Sequence, residues 1–235
     1  MSLRGLAGKV WFRVHVFVLD AILRPARPMD MRRLGTYYGG WWVPRVDPTE
    51  GVAICAGAGL DVSFDLELAR HGFKVYTVDP SPASVTFVPE FAPELAFVPV
   101  GLWDSEEELR FVHPDPAYPD HWVAGELAPS EAAASATFEV TTVARLVESI
   151  GSPPVAVLKL DVEGAEHRVI RSMLADGVLP RTVCIEFDDR RTARILSTTR
   201  RLRAAGYTLL QIENYNYIFT LGEVGSGWPT YPSWR

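Results

Sequence analysis

The sequence predicts an α/β domain in which a mostly parallel sheet carries helices on both faces. From residue 51 onward, short apolar runs alternate with segments of helical periodicity, and this alternation is typical of such a sheet. The 235 residues are enough for one domain of this kind with a substantial core. The last two apolar runs, 207–212 and 215–221, lie so close together that they predict a hairpin with one antiparallel strand.

Each element is predicted from its own pattern. The predicted strands are short apolar runs at 51–59, 73–79, 95–100, 155–161, 182–188, 207–212 and 215–221. The predicted helices have apolar residues at helical spacing and cover 61–72, 141–151, 162–176 and 190–205. Gly72 and Gly151 close the first two helices, because glycine is the usual residue at a helix end.

Three segments lie outside the core of the predicted domain, which spans residues 51–221. Residues 1–50 are expected to form a helical extension or cap, and residues 222–235 form a Gly-, Pro- and Trp-containing tail. Residues 113–137 are a Pro- and Ala-rich excursion within the domain. Long connections of this kind often carry binding loops or lids.

The extension contains an apolar stretch at 8–25 that Arg13, His15 and Asp20 interrupt. Its uninterrupted apolar length is below the roughly 20 residues that a membrane-spanning helix needs. It therefore predicts a helix that packs on the domain or on a second subunit in a homodimer, with peripheral membrane contact as the alternative. No stable membrane insertion is expected, no cleavage-site pattern follows, and a cytoplasmic location is the prediction.

Composition bears on the partners of the protein. The chain is 48% apolar and 22% charged, which is ordinary for a globular domain. Its 23 basic and 29 acidic residues give a net charge of −6, which argues against nucleic acid as a partner because nucleic-acid surfaces are usually basic. Cys55 and Cys184 both lie in apolar runs, so they are expected as buried, reduced thiols.

The first two strands carry a nucleotide-binding pattern at their carboxyl ends, where open α/β sheets bind ligands. The first ends in AGAGLD (56–61), in which Gly57 and Gly59 allow a tight turn. The second ends in Asp79, a carboxylate suited to both ribose hydroxyls of an adenosine group. Val62 replaces the third glycine of the dinucleotide fingerprint, and no P-loop pattern occurs. The pattern favours an adenosine cofactor without a pyrophosphate, namely S-adenosylmethionine.

The fourth strand runs into an acidic turn in VAVLKLDVEGAEHRVI (155–170). Asp161 lies at the carboxyl end of the strand, and Glu163 and Glu166 follow it. In one interpretation Asp161 caps the next helix and the two glutamates favour its positive end. In the other, Asp161 faces a ligand at the sheet edge. Lys159 is given no role, because its side chain is expected to point away from those of its strand neighbours.

Six blocks occur in order along the chain: YYGGWWVP (37–44), AGAGLDVSFDLEL (56–68), VYTVDPSP (75–82), FVPVGLW (97–103), LKLDVEGAEHRVI (158–170) and VCIEFDD (183–189). This ordered set resembles the FkbM family of S-adenosylmethionine-dependent O-methyltransferases over roughly residues 35–221. The resemblance implies a class I methyltransferase fold, a Rossmann-like seven-stranded sheet whose C-terminal hairpin contains the antiparallel strand. It also implies methyl transfer to a hydroxyl of a small-molecule acceptor, a sugar or a secondary metabolite.

Three positions depart from the class I pattern. Cys55 stands where such enzymes usually carry an acid, Asp61 stands at the third glycine, and Leu60 replaces half of an acidic pair. The amino-acid end of the cofactor is therefore expected to bind through Asp61 or through backbone amides. The predicted cofactor-binding residues are Ala56, Gly57, Gly59, Asp61, Asp79, Pro80, Leu102 and Trp103.

Methyl transfer to an alcohol needs a group that takes its proton or stabilises the alkoxide. Asp161 is the first candidate because it lies at a strand end. His121, in YPDHW, is the second, because the resemblance also suggests histidine there and imidazoles change charge near neutral pH. Glu163 is the third catalytic candidate.

A magnesium ion is a further possibility, because its preferred ligands are oxygens. The carboxylates available to it are Asp161, Glu163, Glu186 and Asp188. The alternative is that these carboxylates cap helices or pair with Arg190 or Arg191. Trp103 likewise has two interpretations, stacking on adenine or packing in the core. The YYGGWWVP block either lines or covers the pocket, or packs the extension.

Two other functions remain open at this point. A nicotinamide-dependent oxidoreductase is disfavoured by Val62 and by the absence of a Tyr-x-x-x-Lys pair. A catalytically inactive protein that kept the fold and the cofactor is the other, and Cys55, Leu60 and Asp61 are the residues that support it.

Overall fold

The computed structural model describes residues 3–28, 30–113, 121–124 and 134–222. Six α-helices are described in these ranges: α1 Leu3–Leu23, α2 Ser63–Arg70, α3 Pro82–Phe91, α4 Val143–Ser149, α5 Glu166–Ala175 and α6 Thr192–Ala204. The strands are β1 Arg32–Leu34, β2 Trp41–Val43, β3 Val52–Ala56, β4 Val75–Val78, β5 Ala96–Val98, β6 Gly101–Leu102, β7 Glu107–His113, β8 Val123–Ala124, β9 Ala134–Thr141, β10 Val155–Leu160, β11 Thr182–Glu186, β12 Tyr207–Glu213 and β13 Asn216–Leu221. The predicted tail, apart from Gly222, and most of the predicted excursion lie outside the described residues.

The central sheet has seven strands in the order β12-β13-β11-β10-β3-β4-β5. The five strands from β11 to β5 are parallel, and β13 runs antiparallel to both β11 and β12. The prediction of a seven-stranded, mostly parallel sheet is therefore confirmed. The chain leaves β3 towards β5 and later returns to β10 on the other side of β3, so the crevice between β3 and β10 is the place where ligands bind in sheets of this kind.

Apolar side chains pack on both faces of the sheet. All six residues of β10 are buried, as expected for a central parallel strand covered on both sides. One face packs against α1, α4, α5 and α6, and the other packs against α2 and α3. Cys55 and Cys184 are buried free thiols within this core, as predicted.

The turn after β10 differs from its prediction. Helix α5 begins only at Glu166, and the residue at its N-cap is Ala165, which makes no side-chain capping bond. Glu163 and Gly164 both have positive φ angles, and this backbone conformation cannot continue a right-handed helix. The interpretation of Asp161 as the helix cap is therefore wrong.

A second sheet was not predicted. It has four strands in the order β6-β9-β7-β8, with β7 antiparallel to both of its neighbours. Most side chains of β9 are not buried, so this strand lacks the apolar run that would have revealed it. Leu109, Phe111 and Val140 connect this sheet to the main core.

The N-terminal extension is helical only in its first part. Leu19 and Leu23 of α1 are buried in the main core, and His15 forms hydrogen bonds with the hydroxyls of Tyr215 (2.6 Å) and Thr192 (2.8 Å). The helix thus packs on the domain, whereas a contact with a second subunit stays a prediction. Beyond the helix, β1 and β2 pair antiparallel. Among the helices that the structure describes, none is long and apolar enough to span a lipid bilayer.

Candidate active site

A cavity of about 360 Å³ opens at the carboxyl ends of β3, β4, β10 and β11. All eight residues that were predicted to bind the cofactor line it: Ala56, Gly57, Gly59, Asp61, Asp79, Pro80, Leu102 and Trp103. Four predicted catalytic or metal-binding carboxylates also line it: Asp161, Glu163, Glu186 and Asp188. The topology therefore brings both predicted groups to one place, because parallel strands end at the same edge of the sheet.

The turn after β3 depends on Gly57. Its φ is +83°, and a Cβ atom there would lie 1.7 Å from the carbonyl oxygen of Asp161. The sequence predicted that this glycine allows a tight turn. The structure gives a second reason, which is the close contact between the end of β3 and the end of β10.

Asp79 holds the same turn from the neighbouring strand. Its Oδ2 atom accepts hydrogen bonds from the amides of Ala58 (2.8 Å) and Gly59 (3.2 Å), and its Oδ1 atom accepts one from Ser81 (2.8 Å). An ionised carboxylate has about four acceptor positions. The chain itself uses three of them, so Asp79 has room for about one ligand hydroxyl rather than for both hydroxyls of a ribose.

Asp61 joins the glycine turn to the N-terminal extension. Its carboxylate accepts hydrogen bonds from the hydroxyl of Thr36 (2.6 Å) and the amide of Ser63 (2.9 Å). Partial burial raises the pKa of Asp61, but hydrogen bonds from Ser63 and Thr36 outweigh that effect and hold the pKa below its ordinary value. A binding role for Asp61 at the amino-acid end of the cofactor stays a prediction, and its described contacts are structural.

The YYGGWWVP block forms part of the pocket rim. Tyr38, Gly39 and Trp41 line the cavity. Tyr37 and Tyr38 are almost fully exposed, whereas Trp41 is buried. The block therefore lines the pocket and packs the extension at the same time, and both of its sequence interpretations hold for different residues.

Lys159 is a site residue that the sequence analysis missed. Its side chain is only 4% exposed, lines the cavity and donates a hydrogen bond to the carbonyl of Gly57. Its Nζ atom lies 3.3 Å from Oδ2 of Asp161. Residues two apart in a strand share a side of the sheet, and this rule applied to Lys159 and Asp161 would have revealed the pair.

A second carboxylate, Asp65, faces Lys159 from below the glycine turn. Asp65 is buried, and Thr77 donates a hydrogen bond to it at 2.6 Å. Burial raises the pKa of Asp65 to about 6, although the positive charge of Lys159 opposes this rise. Burial lowers the pKa of Lys159, but the charges of Asp161 and Asp65 outweigh it and raise that pKa above its ordinary value. Lys159 therefore stays charged between two carboxylates.

The negative charges of Glu186 and Asp188, across the cavity from the glycine turn, are compensated only in part by Arg190. Burial, followed by the negative charges of Asp161 and Asp188, raises the pKa of Glu186 to about 7. Burial and Asp161 raise the pKa of Asp188 to about 6. Arg190 is 3.8 Å from Asp188, as the pairing alternative predicted, whereas Arg191 pairs with Asp189 instead.

The described ranges contain no group of three or more His, Cys, Asp or Glu side chains arranged to hold a metal ion. The predicted magnesium ligands Asp161, Glu186 and Asp188 thus share a cavity wall without forming a metal-binding cluster.

His121 reaches the site through Glu163. The Nε2 atom of His121 lies 3.1 Å from Oε2 of Glu163. Glu163 lines the cavity, whereas His121 is not among the described residues that do so. Glu163 adopts a φ of +52°, an uncommon conformation for a residue with a side chain, and it directs the chain out of β10.

Glu166 lies behind the turn rather than in the cavity. Its side chain is fully buried, and its Oε1 atom accepts a hydrogen bond from the amide of Gly164 at 2.8 Å. No hydrogen-bond donor contacts its Oε2 atom within the described part of the chain. Burial, with a further contribution from Asp188, raises the pKa of Glu166 well above its ordinary value, which favours the neutral form of its carboxyl.

Trp103 is buried against Arg168, whose guanidinium carbon lies 4.8 Å from the ring centroid. The packing interpretation therefore holds for one part of this ring, while another part lines the cavity beside Leu102. Stacking of Trp103 on an adenine stays a prediction.

Comparison with known families decides the class of protein. A family model described as the methyltransferase FkbM domain matches residues 55–219, which is well over half of the chain. The chain belongs to the FkbM methyltransferase family. Neither the search of curated proteins nor the search of solved structures gave a match.

The FkbM domain covers the whole site except the rim from the extension. It begins within β3 and ends within β13, so it includes the glycine turn, Asp79 and all the carboxylates discussed above. Membership of a methyltransferase family decides against the nicotinamide-dependent oxidoreductase. The residues Tyr38, Gly39 and Trp41 precede the FkbM domain and complete its cavity.

Proposed function

We propose that this protein is an S-adenosylmethionine-dependent O-methyltransferase that acts on a hydroxyl of a small molecule, either a sugar or a secondary metabolite. The observation that carries the proposal is the single cavity at the crevice between β3 and β10. It combines a glycine turn held by Asp79 with an acidic wall at the ends of β10 and β11. The strand order and the antiparallel β13 support the class I arrangement that this chemistry commonly uses.

The residues present suit this cofactor. The cavity volume lies in the range of about 300–1,000 Å³ that is usual for small-molecule sites. When bound, S-adenosylmethionine supplies a methyl group on a positively charged sulfur. The groups that would hold it are the Gly57–Gly59 turn, Asp79, Leu102 and Trp103, and the acidic wall favours a cationic ligand.

The acceptor hydroxyl would meet two carboxylates with different properties. The ion pair with Lys159 fixes the position of the Asp161 carboxylate, so Asp161 suits the binding and orientation of the acceptor hydroxyl. Glu186, with a pKa raised to about 7 by burial and by its acidic neighbours, suits receipt of the hydroxyl proton, because a general base works best when its pKa lies near the operating pH. Such a base typically contributes about 10²–10⁴-fold to the rate.

The direct test is a methyl-transfer assay with labelled S-adenosylmethionine and a panel of hydroxylated acceptors, run with and without a chelator. Calorimetry on the same protein measures binding of S-adenosylmethionine and of nicotinamide cofactors. We expect S-adenosylmethionine to bind and at least one acceptor to be methylated. Binding of a nicotinamide cofactor in its place would contradict the proposal.

Two variants test the roles of the acidic wall. Asp161→Asn and Glu186→Gln keep side-chain size, and we expect both to lose turnover while cofactor binding is retained. Glu94→Gln, at an exposed position, is the matched control and should behave as the unaltered protein. Binding of the cofactor with no turnover on any acceptor would support the inactive, cofactor-binding alternative.

A further inference from the structure

Helix α1 has an apolar face that the domain does not cover. Trp11 is 60% exposed and Phe17 is 72% exposed. Val14, Val18 and Ile22 are exposed as well, and with Trp11 they recur at helical spacing along one side of the helix. Five large apolar side chains on one surface helix form a patch of the kind that marks an interaction site.

The opposite side of α1 is fixed to the domain. Leu19 and Leu23 are buried, His15 bonds to Tyr215 and Thr192, and Arg203 donates a hydrogen bond to the carbonyl of Leu23. The exposed patch is therefore presented by an anchored helix.

The charge of the N-terminal region is opposite to that of the rest of the chain. Residues 1–33 contain seven Arg or Lys and two Asp residues, whereas the remaining 202 residues contain 16 basic and 27 acidic residues. Two of the seven cations are paired within the protein, Arg27 with Asp20 and Arg33 with Glu213. On α1 itself, Arg13 is exposed beside the apolar patch, and Arg24 is exposed at the end of the helix. A helix with exposed aromatic and aliphatic side chains and adjacent basic residues is typical of helices that lie on an anionic lipid surface.

We propose that α1 binds peripherally to membranes that contain anionic lipids, with Trp11 and Phe17 entering the headgroup region and Arg13 and Arg24 contacting phosphates. Charge complementarity favours this partner over a second copy of the chain. A two-fold symmetric contact through this patch would place two basic segments against each other, and like charges in contact are unfavourable. An anionic surface instead attracts the basic segment through each Lys or Arg that comes near it.

The test uses the full-length protein and sedimentation with two kinds of vesicle. One contains equal parts of phosphatidylcholine and phosphatidylglycerol, and the other contains phosphatidylcholine alone. We expect binding to the anionic vesicles, at least about tenfold weaker binding to the neutral ones, and loss of binding as salt is raised.

Variants of the patch sharpen this test. The double variant Trp11→Ser with Phe17→Ser should weaken vesicle binding at least about tenfold, because it removes the two apolar rings that would enter the headgroup region. Phe91→Ser removes a ring that is 63% exposed on α3 and is the matched control, with unchanged binding expected. Trp11 stacks on His15 and Phe91 stacks on Phe87, so we expect a small and similar fall in melting temperature in the double variant and in the control.

Three results would overturn the proposal. The first is equal binding to the neutral and the anionic vesicles. The second is binding that the double variant retains. The third is absence of vesicle binding together with a dimer in sedimentation equilibrium that the double variant dissociates, which would assign the patch to a second copy of the chain.

Discussion

Two acidic regions lie at the same edge of the sheet and differ in how their charge is compensated. Below the glycine turn, buried Asp65 has Lys159 and the hydroxyl of Thr77 as partners. On the cavity wall, repulsion from Asp161 adds to burial in raising the pKa of Glu186 and Asp188, and the positive charge of Arg190 opposes this rise only in part. Burial raises the pKa of Asp65 and of Asp188 alike to about 6, but Asp65 lies beneath the turn and Glu186, with a pKa of about 7, lines the cavity. The cavity wall therefore places the carboxylate closest to neutrality where a ligand can reach it, which is how sites for proton transfer are commonly built.

Among the substitutions considered, replacement of Lys159 is expected to change the free energy of unfolding most. Lys159→Met leaves Asp65 buried without its cation, and we expect a loss of about 3–5 kcal/mol in the free energy of unfolding, measured by urea denaturation. Lys74→Met, at an exposed position, is the matched control. The double variant Lys159→Met with Asp65→Asn should recover part of the loss, and a double variant no more stable than Lys159→Met would contradict the pairing.

The second prediction concerns Glu186 and separates catalysis from stability. We expect Glu186→Gln to lower the rate of methyl transfer by about 10²–10⁴-fold, because it removes the proposed base. At about pH 8 the same variant should be more stable than the unaltered protein, by about 1–3 kcal/mol, because it removes a buried carboxylate that is ionised there. Loss of both activity and stability would instead indicate a structural role.

Glu186 also predicts how the stability and the activity of the unaltered protein depend on pH. The pKa of Glu186 is raised from 4.5 to about 7 in the folded protein. Between these values the folded state holds a proton that the unfolded state has lost, so the contribution of Glu186 to stability falls as pH rises through this window. Activity should change in the opposite direction and rise through about pH 7, because the base must be ionised. Thermal melting and initial rates over the same pH series check both trends.

The smallest change in the free energy of unfolding is expected for Glu166→Gln. Burial raises the pKa of Glu166 well above its ordinary value and so favours the neutral form of its carboxyl. Glu166→Gln keeps the size and can still accept the bond from Gly164, so we expect a change below about 1 kcal/mol in unfolding free energy. Glu166→Ala is the contrasting variant, since it removes the acceptor and leaves a cavity. A large loss of stability in Glu166→Gln would mean that the group is ionised.

Much of the fold could be predicted because its signals are local. The apolar run of β10 and the strand-end position of Asp161 can be read from adjacent residues, and the strand alternation predicts the parallel sheet. The short, half-exposed strands of the second sheet carry no such pattern. The start of α5 was missed because the positive φ of Glu163 is set by the turn and not by residue type.

The site could be located from sequence, but its electrostatics could not. Strand-end glycines and acids identified the residues that line the cavity. The electrostatic effect of Lys159 on Asp65 connects residues far apart in the chain, and the raised pKa of Glu186 arises from burial beside Asp161. These are properties of the packed structure, so no local pattern records them.

The hydrogen bond from Thr36 to Asp61 shows which part of the N-terminal extension a truncated protein would need. The matched family region starts at Cys55, which leaves out Val52–Ile54 of the central strand. It also leaves out Thr36, which anchors the turn beside the cavity, and Trp41, whose ring lies 5.9 Å from Nζ of Lys159. A fragment cut at the family boundary would therefore lack part of β3 and one wall of the pocket, so a shortened form that keeps the pocket has to begin before β1.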